Sequence, residues 1–238
     1  MKDLSNIKGI IFDYGGTLDS RGVHWSEVIW QGYVKAEVPI DKPCFMKAYV
    51  FTERLLAKRS LVKPEYNFRE MISVKVYSQL LYLEAMDFLP KVDICAKLSL
   101  ITEYCYNSAK QCIEEARPLL KALKERYPMV IVSNFYGNLN SVLADFKLTE
   151  YFSGVIESAV VGVRKPDKSI FQLGINALEI DVKNVLVVGD NYRKDIEPAM
   201  SLGCKTAWLK CYLWGDEPIK PRATLIIKSL SELSNAIL

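Results

Sequence analysis

The sequence predicts an α/β protein in which a doubly wound, mainly parallel sheet carries an inserted, all-helical lobe. Short apolar runs rich in β-branched residues recur at 129–135 (MVIVSNF), 154–160 (GVIESAV), 185–191 (VLVVGDN) and 205–212 (KTAWLKCY). They are too short for helices and do not alternate with polar residues, which is typical of strands buried on both faces of a parallel sheet. Because helical patterns separate the runs, the alternation of strand and helix favours a doubly wound sheet.

The first element is a strand, and the segment after it is helical. Residues 9–12 (GIIF) form an apolar run that ends at an aspartate, and three helical patterns follow between about residues 23 and 115. Asp41 is a candidate N-cap with Pro43 in the first turn. Asn67, followed three residues later by Glu70, resembles a capping box. These signals predict a helical lobe inserted after the first strand.

The elements of the second half follow in the order strand, helix, strand. Residues 117–128 predict a helix that starts near Pro118 and stops at Pro128. Further helices are predicted within 138–148 and 165–180, after the next two strands. Residues 212–221 are predicted to form a loop, and 223–238 a closing strand and helix.

Composition excludes several classes of function. Half of the 238 residues are hydrophobic and a quarter are charged, which is ordinary for a soluble globular protein. The net charge of +3 is too small to indicate a surface that binds nucleic acid. The six cysteines form no CxxC pair, which argues against a zinc site or a disulfide framework and fits a reducing compartment. The N-terminal apolar run is too short for a signal peptide, and no run is long enough to span a membrane. We therefore expect a cytoplasmic protein without nucleic-acid or membrane partners.

Polar side chains follow the predicted strands at one edge of the sheet. Asp13, Ser133 and Asp190 each come directly after an apolar run, and Lys165 follows the run SAVVGVR. In an open parallel sheet, ligands bind outside the carboxyl ends of the strands, so these groups are expected to converge. Carboxylate oxygens suit Mg²⁺, while a glycine-rich turn and a lysine suit phosphoryl oxygens.

In their order along the chain, these residues resemble the motifs of a known family. The sequences DYGGT (13–17), VSN (132–134), RKPDKSIF (164–171) and GDNYRKD (189–195) resemble the four motifs of the haloacid dehalogenase superfamily of hydrolases. The resemblance implies a Rossmann-like core formed by residues 1–22 and 116–238. It also implies that residues 23–115 form the helical cap that is inserted after the first motif.

The resemblance implies a role for each matching residue. Asp13 would be the nucleophile, and Asp13, Asp190 and the backbone carbonyl of Gly15 would hold Mg²⁺. Asp195 would support the metal site or orient Lys165, which would itself act in catalysis. The phosphoryl group would be bound by the glycine turn and by three side chains. These residues are Gly15, Gly16, Ser133, Asn134 and Lys165.

The sequence departs from the family at Gly15. Phosphatases of this superfamily usually carry a second aspartate at this position, as general acid for the leaving group and then as base for water. Asp19 and His24 are the candidates to replace it, since a histidine titrates in the range needed for such catalysis. The alternatives are that Asp19 caps a local turn and that His24 packs beside Trp25.

Two classes of function follow from these residues. The first is a Mg²⁺-dependent phosphatase that acts on a small phosphorylated metabolite through an aspartyl-phosphate, with the helical lobe as its lid. The second is a catalytically weak or inactive relative that binds a phosphorylated ligand. Gly15 favours the second class, and the set formed by Asp13, Ser133, Lys165 and Asp190 favours the first.

Overall fold

Six strands of the described residues form one all-parallel sheet. A computed structural model of the chain describes residues 4–90, 92–210 and 222–238. The strands are β1 (Gly9–Phe12), β2 (Met129–Ser133), β3 (Gly154–Glu157), β4 (Val185–Gly189), β5 (Lys205–Leu209) and β6 (Leu225–Ile227). Their order in the sheet is β3-β2-β1-β4-β5-β6, and every neighbouring pair is parallel. The predicted fold class is therefore confirmed, while the loop predicted at 212–221 lies outside the described residues.

The helices divide into an insertion between β1 and β2 and a set that follows β2. The insertion, called here the helical insertion, contains α1 (Trp25–Lys35), α2 (Lys42–Lys58), α3 (Phe68–Ala85) and α4 (Ile94–Lys124). After β2 come α5 (Leu139–Asp145), α6 (Ser158–Val161), α7 (Ser169–Leu178), α8 (Glu197–Leu202) and α9 (Ser231–Ile237). The placement of an all-helical segment after the first strand agrees with the prediction.

Two predicted helix starts are present in the helical insertion. The Asp41 side chain accepts a hydrogen bond from the Cys44 amide at 2.8 Å, which fixes the start of α2. At the start of α3, Asn67 accepts from the Glu70 amide while the Glu70 carboxylate accepts from the Asn67 amide, which is a complete capping box. Both contacts satisfy amide groups that have no partner within the helix.

The prediction that a helix starts near Pro118 is wrong, because Pro118 lies inside the 31-residue helix α4. A proline in a helix interior removes one backbone hydrogen bond and costs roughly 3 kcal/mol. The buried face of α4 nevertheless continues on both sides of it, with Ile113 before the proline and Leu120 and Leu123 after it fully buried. Burial of these side chains offsets the lost hydrogen bond. The predicted boundary at 115/116 thus falls within one helix, and the division into core and cap stays a prediction.

Apolar side chains cover both faces of the sheet. On one face, Ile10 and Phe12 of β1 belong to a single buried cluster with Ile29 and Phe68 of the helical insertion. On the other face, Ile11 packs in a second cluster that includes Phe171 of α7 and Ala199 of α8. This arrangement explains why the strands are apolar without alternation. None of the helices in the described ranges is long and apolar enough to cross a membrane.

Candidate active site

The carboxyl ends of β1, β2 and β4 bring the predicted polar residues together. The ammonium of Lys165 lies 2.6 Å from Asp13 Oδ1, and the Ser133 hydroxyl donates to the same oxygen at 3.2 Å. Asp13, Ser133, Lys165 and Asp190 are each at most 5% exposed. Residues that lie far apart in the sequence therefore form one buried cluster, at the place where a parallel sheet offers its ligand site.

Lys165 is held between two carboxylates. Its ammonium also donates to Asp195 Oδ1 at 2.7 Å. Burial disfavours the charged form, but Asp13 and Asp195 outweigh it and raise the pKa of Lys165 above its usual value. Asn134 braces the backbone here, because its amide group accepts from the Lys165 amide at 2.9 Å and donates to the Lys165 carbonyl at 3.1 Å. The Asn134 side chain thus fixes the loop that carries Lys165.

Three buried carboxylates form a group that fits a divalent cation. Asp13, Asp190 and Asp195 each offer an oxygen within 4.8 Å of the others. Burial, and then the charges of Asp13 and Asp195, raise the pKa of Asp190 well above its usual range, and burial raises the pKa of Asp195 to about 6. When all three acids are ionised, the ammonium of Lys165, which contacts Asp13 and Asp195, leaves an excess of negative charge. An oxygen-rich, anionic site of this kind suits Mg²⁺.

Thr17 joins the first and last motifs, although the sequence analysis gave it no role. Its hydroxyl donates to Asp13 Oδ2 at 2.9 Å and accepts from the backbone amide of Asp190 at 3.1 Å. Thr17 is fully buried, so it fixes the distance between the two carboxylates. The signal was present in the sequence as the last residue of DYGGT.

The two glycines of the turn have different structural requirements. Gly16 has a φ of +101°, and a Cβ atom there would lie 2.6 Å from Asp190 Oδ2, so only glycine fits. Gly15 is not among the residues with positive φ, and a Cβ atom there would meet nothing within 4 Å. The missing acid therefore does not follow from lack of space at position 15.

Asp19 ties the glycine turn to the helical insertion. Its Oδ1 accepts from the Gly16 amide at 2.7 Å and its Oδ2 from the Trp25 indole at 3.0 Å. Burial raises the pKa of Asp19 to about 7, and the charge of Asp13 adds to the shift. The Gly16 amide, which is predicted to bind the phosphoryl group, donates to Asp19 in this structure. Both oxygens of Asp19 serve as acceptors, as in the alternative of a capped local turn.

His24 begins the helical insertion as the N-cap of α1. Its Nδ1 accepts from the Ser26 amide at 3.3 Å and lies 2.6 Å from the Ser26 hydroxyl. Burial, with the charges of Lys75 and Lys194, lowers the pKa of His24 to about 4. The ring is therefore neutral at pH 7. His24 also contacts the Tyr49 ring, with 5.7 Å between the ring centres.

A cavity of about 160 Å³ lies between the sheet edge and the helical insertion. On the sheet side it is lined by the acids and Lys165, and on the other side by aromatic rings with one ion pair. That pair joins Lys75 of α3 to Glu53 of α2, and both contact the hydroxyl of Tyr136 in the loop after β2. Sequence reasoning missed these three residues, because they belong to no motif.

Comparison with known proteins places the chain in a family. Residues 7–203 match the family described as haloacid dehalogenase-like hydrolase, a "Hydrolase". The matched range includes all of the candidate site residues named above and the whole helical insertion.

Two curated relatives and one solved structure illustrate the similarity. Pyrimidine 5'-nucleotidase YjjG of Escherichia coli is 32% identical over 121 residues, which cover 50% of this chain and 53% of the relative. Glyceraldehyde 3-phosphate phosphatase of Pyrococcus furiosus is 31% identical over 121 residues, covering 49% and 50%. The chain thus spans about half the length of these curated relatives. The HAD-hydrolase YfnB of Bacillus subtilis, bound to magnesium, is similar in fold with a TM-score of 0.61 at 16% identity, covering 97% and 98%.

Proposed function

This chain belongs to the haloacid dehalogenase-like hydrolase family, and we propose that it is a Mg²⁺-dependent phosphatase of a small phosphorylated metabolite. The observation that carries the proposal is the buried carboxylate of Asp13 on the cavity wall, with donors from Lys165, Ser133 and Thr17 around it. The phosphatase and nucleotidase activities named for the curated relatives support the same reaction class.

Asp13 acts as the nucleophile in the proposed reaction. One of its oxygens forms a bond to phosphorus, while the bond from phosphorus to the leaving oxygen breaks and that oxygen takes its electron pair. Water then attacks phosphorus, which releases inorganic phosphate and restores the Asp13 carboxylate. Since position 15 is a glycine, the leaving oxygen takes its proton from solvent or leaves as the anion.

Mg²⁺ would be held by Asp13, Asp190 and the backbone carbonyl of Gly15. When bound, the ion offsets the negative charge of the carboxylates and of the phosphoryl oxygens. Asp195 acts through Lys165, because the ion pair at 2.7 Å directs the ammonium towards Asp13. Ser133 and Lys165, which donate to Asp13 in this structure, would donate hydrogen bonds to the transferring phosphoryl group.

The helical insertion is proposed to act as a cap, with residues 23–115 closing the cavity and selecting the leaving group. His24, Tyr49 and Lys75 of this segment line the cavity opposite the acids. A cytoplasmic location, and a small phosphorylated molecule as the sole class of partner, also stay predictions.

A second candidate function rests on one observation, which is the glycine at position 15, where phosphatases of this superfamily usually carry an acid. A relative without the general acid could bind a phosphorylated ligand with little turnover, since general acid–base help is typically worth ~10²–10⁴ in rate. The nucleophile and its three donors favour catalysis over binding alone.

The deciding experiment measures hydrolysis of p-nitrophenyl phosphate with and without Mg²⁺. We expect turnover in the wild type that is lost in Asp13→Asn and kept in Asp181→Asn, a control at an exposed aspartate remote from the cavity. Acid-quenched samples should carry a phosphoryl group on Asp13, located by peptide mass spectrometry. Phosphate binding without any turnover or phosphorylated Asp13 would select the second candidate.

A further inference from the structure

The wall of the cavity that faces the acids carries a buried network of three polar side chains. Lys75 and Glu53 form an ion pair, the Lys75 ammonium donates to the Tyr136 hydroxyl at 2.9 Å, and that hydroxyl donates to Glu53 Oε2 at 3.1 Å. The Lys75 side chain is 5% exposed and the Glu53 side chain 33% exposed. Two residues of the helical insertion and one residue of the loop after β2 therefore meet at the cavity wall, and Glu53 is the more exposed partner of the ion pair.

Stability does not explain this network. Replacing a buried ion pair by apolar side chains of similar volume is often neutral or stabilising, because desolvation of the two charges cancels their attraction. A buried pair with strongly shifted pKa values in a cleft is a candidate functional group. Burial opposes the charge of Lys75, but the neighbouring Glu53 outweighs it and raises the pKa of Lys75 well above its usual value.

Glu53 holds most of the unused hydrogen-bonding capacity of the network, and Lys75 holds the rest. A carboxylate has about four acceptor positions, and Lys75 and Tyr136 occupy two of them. Lys75 has three N–H donors, of which two point to Glu53 and Tyr136, and its ammonium lies 5.3 Å from the centres of the Tyr49 and Tyr136 rings. The hydroxyl proton of Tyr136 is given to Glu53. The network therefore offers acceptors on Glu53 and one remaining N–H on Lys75, and it fits a group that both donates and accepts.

Charge and size restrict the donor further. A ligand carboxylate only accepts hydrogen bonds and would be repelled by Glu53, whereas a ligand ammonium only donates and leaves the remaining N–H of Lys75 without an acceptor. A neutral hydroxyl can donate to Glu53 and accept from Lys75. The cavity of about 160 Å³ is close to the ~150 Å³ of an engineered cavity that holds benzene, which suits a small substrate.

We propose that Glu53, held in place by Lys75 and Tyr136, binds hydroxyl groups of the leaving group, so that the substrate is a phosphate ester of a small polyhydroxylated compound. The proposal rests on the phosphatase function proposed above, because it assigns the other end of the same substrate. Glu53 is thus a specificity-determining residue of the helical insertion, on the same cavity as the nucleophile.

The test uses two-carbon phosphate esters that differ only in their terminal group. These are 2-hydroxyethyl, ethyl, carboxymethyl and aminoethyl phosphate, with glycerol 3-phosphate as a polyol. A hydrogen bond to a charged group contributes about 1.5–3 kcal/mol, so kcat/KM of the wild type should favour 2-hydroxyethyl over ethyl phosphate by roughly 10–100-fold. Preference for the carboxymethyl or aminoethyl ester would overturn the proposal.

The variants separate recognition from chemistry, because each substrate is compared with itself. In Glu53→Leu/Lys75→Met both charges are removed together, and the hydroxyethyl-to-ethyl ratio should fall to near one. The matched control is Arg69→Met/Glu103→Gln, an exposed ion pair of the same helical insertion, where the ratio should stay at the wild-type value. An unchanged ratio in the Glu53/Lys75 variant would overturn the proposal. If that variant does not fold, as judged by circular dichroism, Glu53→Gln and the wild-type series decide.

The outcomes also separate this proposal from the function on which it rests. Hydrolysis of p-nitrophenyl phosphate without any preference for hydroxylated esters would overturn only the assignment of Glu53. Absence of hydrolysis for every ester, with an unchanged result in Asp13→Asn, would overturn both.

Discussion

Gly15→Asp is expected to increase the hydrolysis of alkyl phosphates. The substitution restores a carboxylate two residues after the proposed nucleophile, at a position that lines the cavity. The backbone at Gly15 has no positive φ, and a Cβ atom there meets nothing within 4 Å. We therefore expect the variant to fold, with a free energy of unfolding within about 1 kcal/mol of the wild type.

The expected gain follows from the surroundings of the new side chain. Asp13, Asp19 and Asp190 line the same cavity, and nearby negative charges raise the pKa of an additional carboxyl group. A raised pKa keeps the new acid protonated near neutral pH, which is the state that can protonate a leaving oxygen. General acid catalysis contributes ~10²–10⁴ in rate, equivalent to about 3–5 kcal/mol of barrier.

The assay compares kcat/KM across phosphate esters of graded leaving-group pKa. Without an acid, the wild type should depend steeply on that pKa, because poor leaving groups depart as anions. Gly15→Asp should flatten the dependence by accelerating the alkyl esters and leaving p-nitrophenyl phosphate almost unchanged. The matched control is Gly15→Asn, because asparagine has the shape of aspartate but no acidic proton to donate to the leaving oxygen.

Two results would refute this reasoning. If Gly15→Asp hydrolyses alkyl phosphates no faster than Gly15→Asn, the vacant position is not what limits the rate. If the wild-type dependence is flat and becomes steep in His24→Ala, His24 already supplies the proton.

Three further predictions concern the metal, the turn and the histidine. Asp190→Asn should lose Mg²⁺-dependent phosphate binding together with activity, and isothermal calorimetry that finds unchanged Mg²⁺ dependence would exclude the proposed metal site. Gly16→Ala should lower the free energy of unfolding by roughly 1–3 kcal/mol in urea titrations, because its φ of +101° and the contact with Asp190 strain any side chain; Gly15→Ala is the control, and equal effects would contradict the assignment. The pKa of His24 falls from 6.5 to about 4 on folding, so the unfolded chain binds more protons than the folded chain between pH 4 and 6.5. The stability that depends on neutral His24 is therefore complete above pH 6.5 and is lost as the pH falls below it. Between pH 7 and 5 the wild type should therefore lose up to about 2 kcal/mol more stability than His24→Asn, which keeps the cap acceptor; equal losses would disprove it.

Local signals explain which parts of the fold were predictable from sequence. The strands were found because parallel strands are buried on both faces, and Asp41 and Asn67 were found because an N-cap is a short-range contact. The predicted helix start at Pro118 was wrong because the sequence around a proline in the first turn of a helix and around one in its interior is similar when the apolar pattern continues on both sides.

The candidate site was predictable only where a residue follows a strand. Asp13 and Asp190 end adjacent strands, so the sheet itself brings them together. Lys75 and Tyr136 lie 61 positions apart and meet because a cap helix is placed over a core loop. That placement depends on the packing of many side chains, and no short pattern in the sequence encodes it.

The continuous helix α4 determines how the helical insertion could move relative to the sheet. Its segment before Pro118 packs against α1 and α3, and Arg117 ties the helix to the residues after α5 through hydrogen bonds to the carbonyls of Phe146 and Lys147 at 2.9 and 3.0 Å. At 1.5 Å per residue, the part from Ile94 to Pro118 is about 36 Å long. Because Pro118 removes one backbone hydrogen bond from α4, the helix bends most easily at this residue. A tilt of about 5° at that point would move Ile94 by about 3 Å over this length, and α1 and α3, which pack against α4, would have to move with it or lose contacts.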